Sequence, residues 1–509
     1  MINSLVFGEE PLLGEEAPLE PPEAGVSPQD IEADGSQIVY YIRDIEFDST
    51  GRTRPFALLR MGELRSGERI TGKDALDAYI DRKTQLLHNQ RVLAEVLIEV
   101  ILGEAEEPGL VPADLLIHTK DTWNMIILPW FEYDSNTGWE LSLKARDYNF
   151  LGTMSPLRID FGYKRDEHDE SSFFLKADSD VPFKFLGYNW TLNFDNDFAW
   201  TYNEPFYYKN ITGLSMDLPF RMTTFTFGAE QGFVLNEKNE DQSIIAEEGE
   251  FFPQAWYMYS EVYTLWKIPT GIRVGAFGEL TYTPKLAEKI NYRPGGEIGS
   301  ARRGFQAAFS HTLGFGRIDW AGNFRSGLEA AVENANTFNF TKVEWNRDIS
   351  ARILGHLPVS SFFGISGRMQ YKYWFDKPYD KAGDVLRGIR NDVISADSMA
   401  SLNMDFPLRV IHFVPSQWLN NSKLRFFDFE QHWSPFVDLA LVKHAGEGFD
   451  FSAKNIYAAG GLEIITYPYF MRSFYIRVSF GVNLKELFKA KGIPGGANRE
   501  IYLGMGHHY

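Results

Sequence analysis

Residues that could carry covalent chemistry are sparse in this chain. Gly364-Ile365-Ser366-Gly367 sets a serine between glycines, but without the G-x-S-x-G spacing that lifts a nucleophile out of a strand-to-helix turn; the segment reads as a turn of small residues. There is no H-E-x-x-H pair and no glycine-rich phosphate loop. Cysteine is absent, which excludes disulfides, thiolate catalysis and Cys-ligated metals. His507 and His508 are adjacent, so on a strand they point to opposite faces and cannot chelate one metal together. The acidic run Asp166, Glu167, Asp169 and Glu170 reads as a solvated hairpin turn. Ring groups such as Phe206-Tyr207-Tyr208 and Tyr371, Tyr373, Trp374 could stack on sugars, but fit interfacial aromatics better. The expectation is a protein that is not an enzyme and needs neither cofactor nor metal.

One pair invites a functional reading. Asp438 lies in Phe436-Val437-Asp438-Leu439, where Val437, Leu439 and Leu441 share one strand face and Asp438 takes the other. Arg387 precedes a glycine in Leu386-Arg387-Gly388-Ile389. A guanidinium and a carboxylate in a confined space can form a two-pronged pair stronger than a surface one. On residue types alone, an exposed loop arginine and an unrelated carboxylate is the plainer reading.

The elements that would position this pair follow from pattern. Aromatics make up 15% of the 509 residues, with 41 Phe, 24 Tyr and 12 Trp, yet mean hydropathy is −0.27. So many rings among so many polar residues suits a wall with lipid on one side and water on the other. No run of roughly 18 apolar residues exists, which excludes a transmembrane helix. A net charge of −19 argues against a nucleic-acid partner, since phosphate binding needs a basic face.

Residues 1–36 read as a signal remnant followed by a disordered acidic linker rich in Glu and Pro. Residues 37–120 read as a small α/β domain of order β-α-α-β-β. Ile38 to Phe47 is its first strand and Pro55 to Arg60 a short helix. Thr71 is expected to cap a longer helix with apolar residues at Ala75, Leu76, Tyr79 and Ile80. Val92 to Leu102 and Leu115 to Thr119 complete it.

From residue 121 on, segments of about ten residues alternate in polarity between turn clusters. In Ser473 to Leu484 one face is Phe474, Ile476, Val478, Phe480, Val482 and Leu484; the other is Tyr475, Arg477, Ser479, Gly481 and Asn483. The spacing predicts a transmembrane β-barrel of about sixteen antiparallel strands. Lipid cannot satisfy an open edge, so Ile501 to Tyr509 is expected to pair with Met125 to Tyr133.

In this order the motifs resemble the BamA/TamA-type POTRA-plus-barrel superfamily, also called the bacterial surface antigen family. Arg54-Pro55-Phe56-Ala57-Leu58-Leu59, with Gly62 and Gly67, resembles the first helix and turn of a POTRA domain. Asp147-Tyr148-Asn149-Phe150-Leu151-Gly152-Thr153 is similar to a turn near the start of the family barrel. Val385-Leu386-Arg387-Gly388-Ile389 resembles the V-R-G-F/Y tip of the sixth extracellular loop, and Pro435-Phe436-Val437-Asp438-Leu439-Ala440 the F-x-D-x-G strand that receives it. Leu503, Met505 and Tyr509 resemble a C-terminal assembly signal. Ala440, Ile389 and His507 depart from the pattern, and only one POTRA-like domain is readable.

The resemblance implies that Arg387 turns inward to Asp438. It also implies a cell outer membrane location with the POTRA domain in the periplasm. The function implied is insertion, assembly or translocation of polypeptides; the alternative is a passive pore or surface antigen. Partners implied are outer-membrane lipids, unfolded or nascent outer-membrane or secreted polypeptides, and accessory periplasmic proteins.

Overall fold

The computed structural model describes residues 38–505, apart from 106, 108, 166–169, 203, 221–222, 238–254, 297, 299–303, 449 and 490–492. The linker over 1–36, the acidic residues Asp166, Glu167 and Asp169, and His507, His508 and Tyr509 lie outside the described residues.

The first elements are β1 (Val39–Thr50), α1 (Pro55–Met61), β2 (Arg69–Thr71), α2 (Lys73–His88), β3 (Leu93–Leu102) and β4 (Leu110–Asp121). The strands form a sheet of order β2-β1-β4-β3. Pro55 stands in the first turn of α1, where its missing N–H costs nothing. Two expectations are corrected. A short strand β2, too brief to show hydrophobic alternation, adds to the expected β-α-α-β-β order, and Thr71 is its last residue rather than the cap of α2, which begins at Lys73.

The described residues divide into two compact units: one within 38–46, 65–80 and 99–116, the other within 47–64, 81–98 and 117–505. The first has buried Tyr40, Ile42, Leu76, Val111, Ala113 and Leu115 at its core. Within it, Arg43 grips Asp114 through two nitrogens.

The second unit contains the barrel. It opens with β5 (Met125–Asp134) and β6 (Gly138–Asp147) and closes with Arg499–Met505 against β5, through Tyr502↔Asp134 and Leu503↔Tyr133. Nineteen strand segments form this closed antiparallel ring. Ala396–Asp405 and Leu408–Phe413 both pair with Phe429–His444, as two halves of one strand broken at Phe406-Pro407. The described residues therefore give eighteen strands around the barrel, not sixteen. Tight connections such as Leu186-Gly187, both at positive φ, separate neighbouring strands by only two residues. Gly364-Ile365-Ser366-Gly367 is the start of the strand Gly364–Trp374, not a turn.

The ring is apolar outside and polar inside. Along Phe429–His444, Val437 and Leu439 are each 40% exposed while Asp438 is 0% exposed. Phe131, Leu141, Leu143, Phe161 and Phe173 also face outward. An apolar surface of this extent on a closed sheet is stable only where lipid replaces water. No helix among the described residues is long and apolar enough to cross a membrane.

Candidate functional site

The connection between Gly364–Trp374 and Ala396–Asp405 turns into the lumen. It is the seventh at the barrel end away from Met125, not the sixth, because of the added strands. Two short 3-10 turns, Ala382–Val385 and Asn391–Val393, fold it compactly. Its apolar residues Ala382, Val385, Leu386, Ile389 and Ile394 are buried with Met399, Ala440, Val442 and Ala459 of the wall. Trp374 stacks on Tyr379 of the same connection, rings 5.1 Å apart, whereas Tyr371 faces outward.

Between Leu386 and Ile389 the tip presents Arg387 and Gly388. Arg387 donates to Asp438 three times: backbone N to Oδ2 at 2.9 Å, Nε to Oδ2 at 3.0 Å and Nη2 to Oδ1 at 2.8 Å. Its Nη1 donates to Asp405 Oδ1 at 2.6 Å and lies 3.7 Å from Glu463 Oε2. The guanidinium lies 3.8 Å from the centre of the Phe436 ring, which closes its remaining face. Burial works against its charge, but the bond to Asp438 and the charges of Asp405 and Glu463 outweigh that and hold its pKa above the ordinary arginine value. Arg477 supplies a second cation, its Nη1 3.2 Å from Glu463 Oε2.

Gly388 has φ +110° and lies directly on the wall. A Cβ there would sit 2.6 Å from the Gly481 carbonyl carbon, and one on Gly481 would sit 2.6 Å from the Arg387 oxygen. Both positions require glycine, one for conformation and both for close approach. The Gly388 N–H donates to Glu500 Oε2 at 3.0 Å, Arg390 N to Ala497 O at 3.1 Å and Asn391 N to Asn136 Oδ1 at 2.9 Å. Asn136 Nδ2 also reaches Glu500 Oε1 at 3.1 Å. The tip thus touches both sides of the closure, where two ladder pairs join the last strand to the first.

Leu386, Arg387, Gly388, Ile389, Phe436 and Asp438 therefore lie together. Leu503 and Met505 lie on the last strand, away from the tip, with Met505 packed toward Trp130 and Phe474. Sequence reasoning missed Asp405, Glu463, Glu500 and Asn403, whose Nδ2 donates to Val385 O at 2.7 Å. Inward strand parity marks Asn403 and Asp405, but parity cannot say which inward residue a loop will meet.

Two further joints lie within the same unit. Asn149 donates to Thr53 Oγ1 at 2.7 Å and accepts from Met154 N at 2.9 Å, while Leu151 and Gly152 take positive φ and Arg54 N donates to Gly152 O at 2.9 Å. Arg91, just past α2 and nearly buried, donates to Arg472 O at 2.5 Å and to Asn323 Oδ1 at 2.9 Å, and sits 4.0 Å from the Trp320 ring centre. Burial lowers its pKa to about 10. These contacts fasten the stretches 47–64 and 81–98 to the barrel turns.

No family model matches the chain, and no curated protein does. Among solved structures, CdiB from Acinetobacter baumannii is 13% identical, with 92% of this chain and 74% of that chain covered and a TM-score of 0.45. CdiB from Escherichia coli is 10% identical, with 95% and 92% covered and a TM-score of 0.42. BamA from Haemophilus ducreyi lacking POTRA domains 1–3 is 14% identical, with 91% and 84% covered and a TM-score of 0.34. At these values the likeness assigns neither activity nor partner.

Proposed function

We propose that this chain is an outer-membrane barrel of the POTRA-plus-barrel kind that assists insertion, assembly or translocation of polypeptides. Residues 37–120 form its single POTRA-like periplasmic domain, and residues 121–509 its barrel. The observation that carries the reading is the clasp of Arg387 on Asp438 and Asp405, which seats a long connection inside the lumen. A loop seated along one wall narrows the path for solutes, which favours a chain-handling barrel over a wide diffusion pore. A barrel that handles chains needs a plug that holds one resting arrangement and a closure that can give way. Here the plug reaches a closure of two ladder pairs. Its partners are outer-membrane lipids, unfolded or nascent outer-membrane or secreted polypeptides, and accessory periplasmic proteins.

The test is depletion of the chain in its own cell, with the outer-membrane and secreted proteomes measured. Selective loss of particular barrels or secreted proteins, restored by the wild-type chain and not by Arg387→Ala at equal abundance, is the expected result. An unchanged proteome together with conductance in planar bilayers would make the chain a passive pore instead.

A further inference from the structure

The connection Val414–Asp428 joins Leu408–Phe413 to Phe429–His444 at the same barrel end as Met125. Described connections between barrel strands at this end range from two residues, as at Leu186-Gly187 and Gly322-Asn323, to nine between Asp147 and Leu157; this one has fifteen. This one contains a helical turn, Pro415–Trp418, and a 3-10 stretch, Ser422–Phe427. It is internally braced: Ser416 N donates to Asp428 Oδ1 at 3.0 Å, Asn421 N to Ser416 O at 2.9 Å, and Tyr469 N to Asp428 O at 2.9 Å.

What it displays is unusual for a braced loop. Trp418 is 62% exposed, Leu419 68%, Phe426 64% and Phe427 58%. Phe426 also stacks on Phe470 of the next turn, rings 4.5 Å apart. Lys423 and Arg425 are exposed between these groups, and neither pairs with a carboxylate among the described residues. The one acid of the connection, Asp428, is buried and occupied by Ser416. In a chain of net charge −19 this is a local basic and aromatic island. It continues the outward apolar face through Val410, Phe413 and Trp433.

We propose that Val414–Asp428 is a membrane-surface foot. Its rings seat at the level of the headgroups of the periplasmic leaflet, and Lys423 and Arg425 hold the phosphates of anionic phospholipids. This rests on the reading of the barrel as membrane-spanning. Aromatic rings and basic side chains are the pair of groups that an interface of apolar chains and phosphates retains. Each cation near an anionic surface contributes on the order of fivefold in binding. A protein partner would also cover rings, but it gives no reason for continuity with the lipid-facing strands.

Because the chain has no cysteine, single nitroxide labels can be placed cleanly on the full chain. Ser422→Cys reports the foot, and Leu439→Cys reports the lipid face of a strand. Each is inserted into phosphatidylcholine vesicles with or without phosphatidylglycerol, and label depth is read from accessibility to oxygen against a water-soluble paramagnet. The expected result is headgroup depth at 422 in the presence of phosphatidylglycerol. Adding Lys423→Glu and Arg425→Glu should shift that label into water and leave the 439 label at hydrocarbon depth. A 422 label in water in both vesicles, with 439 at depth, overturns the foot and leaves a protein as the occupant. A 422 depth indifferent to both phosphatidylglycerol and charge reversal overturns the phosphate recognition. If 439 is itself in water, the membrane-spanning reading fails and the foot falls with it.

Discussion

The two sides of the barrel wall follow the same sequence rule and end in different states. On the side formed by Ala396–Asp405, Phe429–His444, Ile456–Pro468 and Ile476–Asn483, inward residues are buried almost without exception. On the side formed by Tyr188–Thr201, Tyr207–Phe220, Thr223–Leu235 and Glu279–Tyr292, inward residues are mostly half-buried. Both alternate polar with apolar. The difference is the loop that covers one side: the same carboxylates that water solvates on the open side must find cations on the covered side. Charge is therefore cheap on one wall and structural on the other.

The largest expected effect follows from removing the central cation. Arg387→Ala leaves the buried Asp438 and Asp405 without their partner, a loss on the order of 3 to 5 kcal/mol. The loop should leave the wall, which limited proteolysis of the folded protein in micelles would detect as new cleavage within residues 376–393. Arg387→Lys should be only partly protective, since one ammonium cannot serve two carboxylates in a planar fork. If Arg387→Ala remains as resistant as the wild type, the contrast between the two walls is wrong.

Gly388→Ala tests the same contrast by shape rather than charge. With φ at +110° and the wall against it, an added methyl should cost about 1 to 3 kcal/mol. The same new cleavage should appear, with Arg387 intact. A normal urea midpoint in this variant would mean that the loop does not depend on close approach.

The open wall gives the counterpart. Lys289, whose ammonium lies 3.8 Å from the Tyr259 ring centre, faces a lumen that the loop leaves free. Lys289→Met should change stability by no more than about 1 kcal/mol, while shifting the ion selectivity of bilayer conductance toward cations. A destabilisation as large as that of Arg387→Ala would erase the distinction.

The smallest effect concerns His88 at the end of α2. Burial, with the positive charge of Arg472 adding to it, lowers its pKa from 6.5. A base with a depressed folded pKa binds fewer protons folded than unfolded. Its stability is therefore present above the unfolded value near 6.5 and lost as pH falls below it. Melting curves across that range should show a shallow acid-side loss that His88→Gln removes; an unchanged slope would show that His88 does not contribute.

What the sequence determined by itself is whatever depends on neighbours a few residues away. Alternation at Val437, Asp438 and Leu439 assigns inside and outside because strand side chains change face at every residue. Pro55 and the apolar spacing in Lys73–His88 announce helices for equally local reasons. A weak turn signal is not legible in this way: Leu186 takes a left-handed conformation that its residue type does not announce. The meeting of Arg387 with Asp438, 51 residues on, is not written in either segment; only the family resemblance points to it. It depends on a loop bending inward far enough to bury Leu386 and Ile389, and only the tertiary structure decided that Asp405 and Glu463 would join it. Parity lists the inward residues. Which of them lose their water is decided by what fills the lumen, because the cost of a buried charge is set by surroundings that come from the rest of the chain.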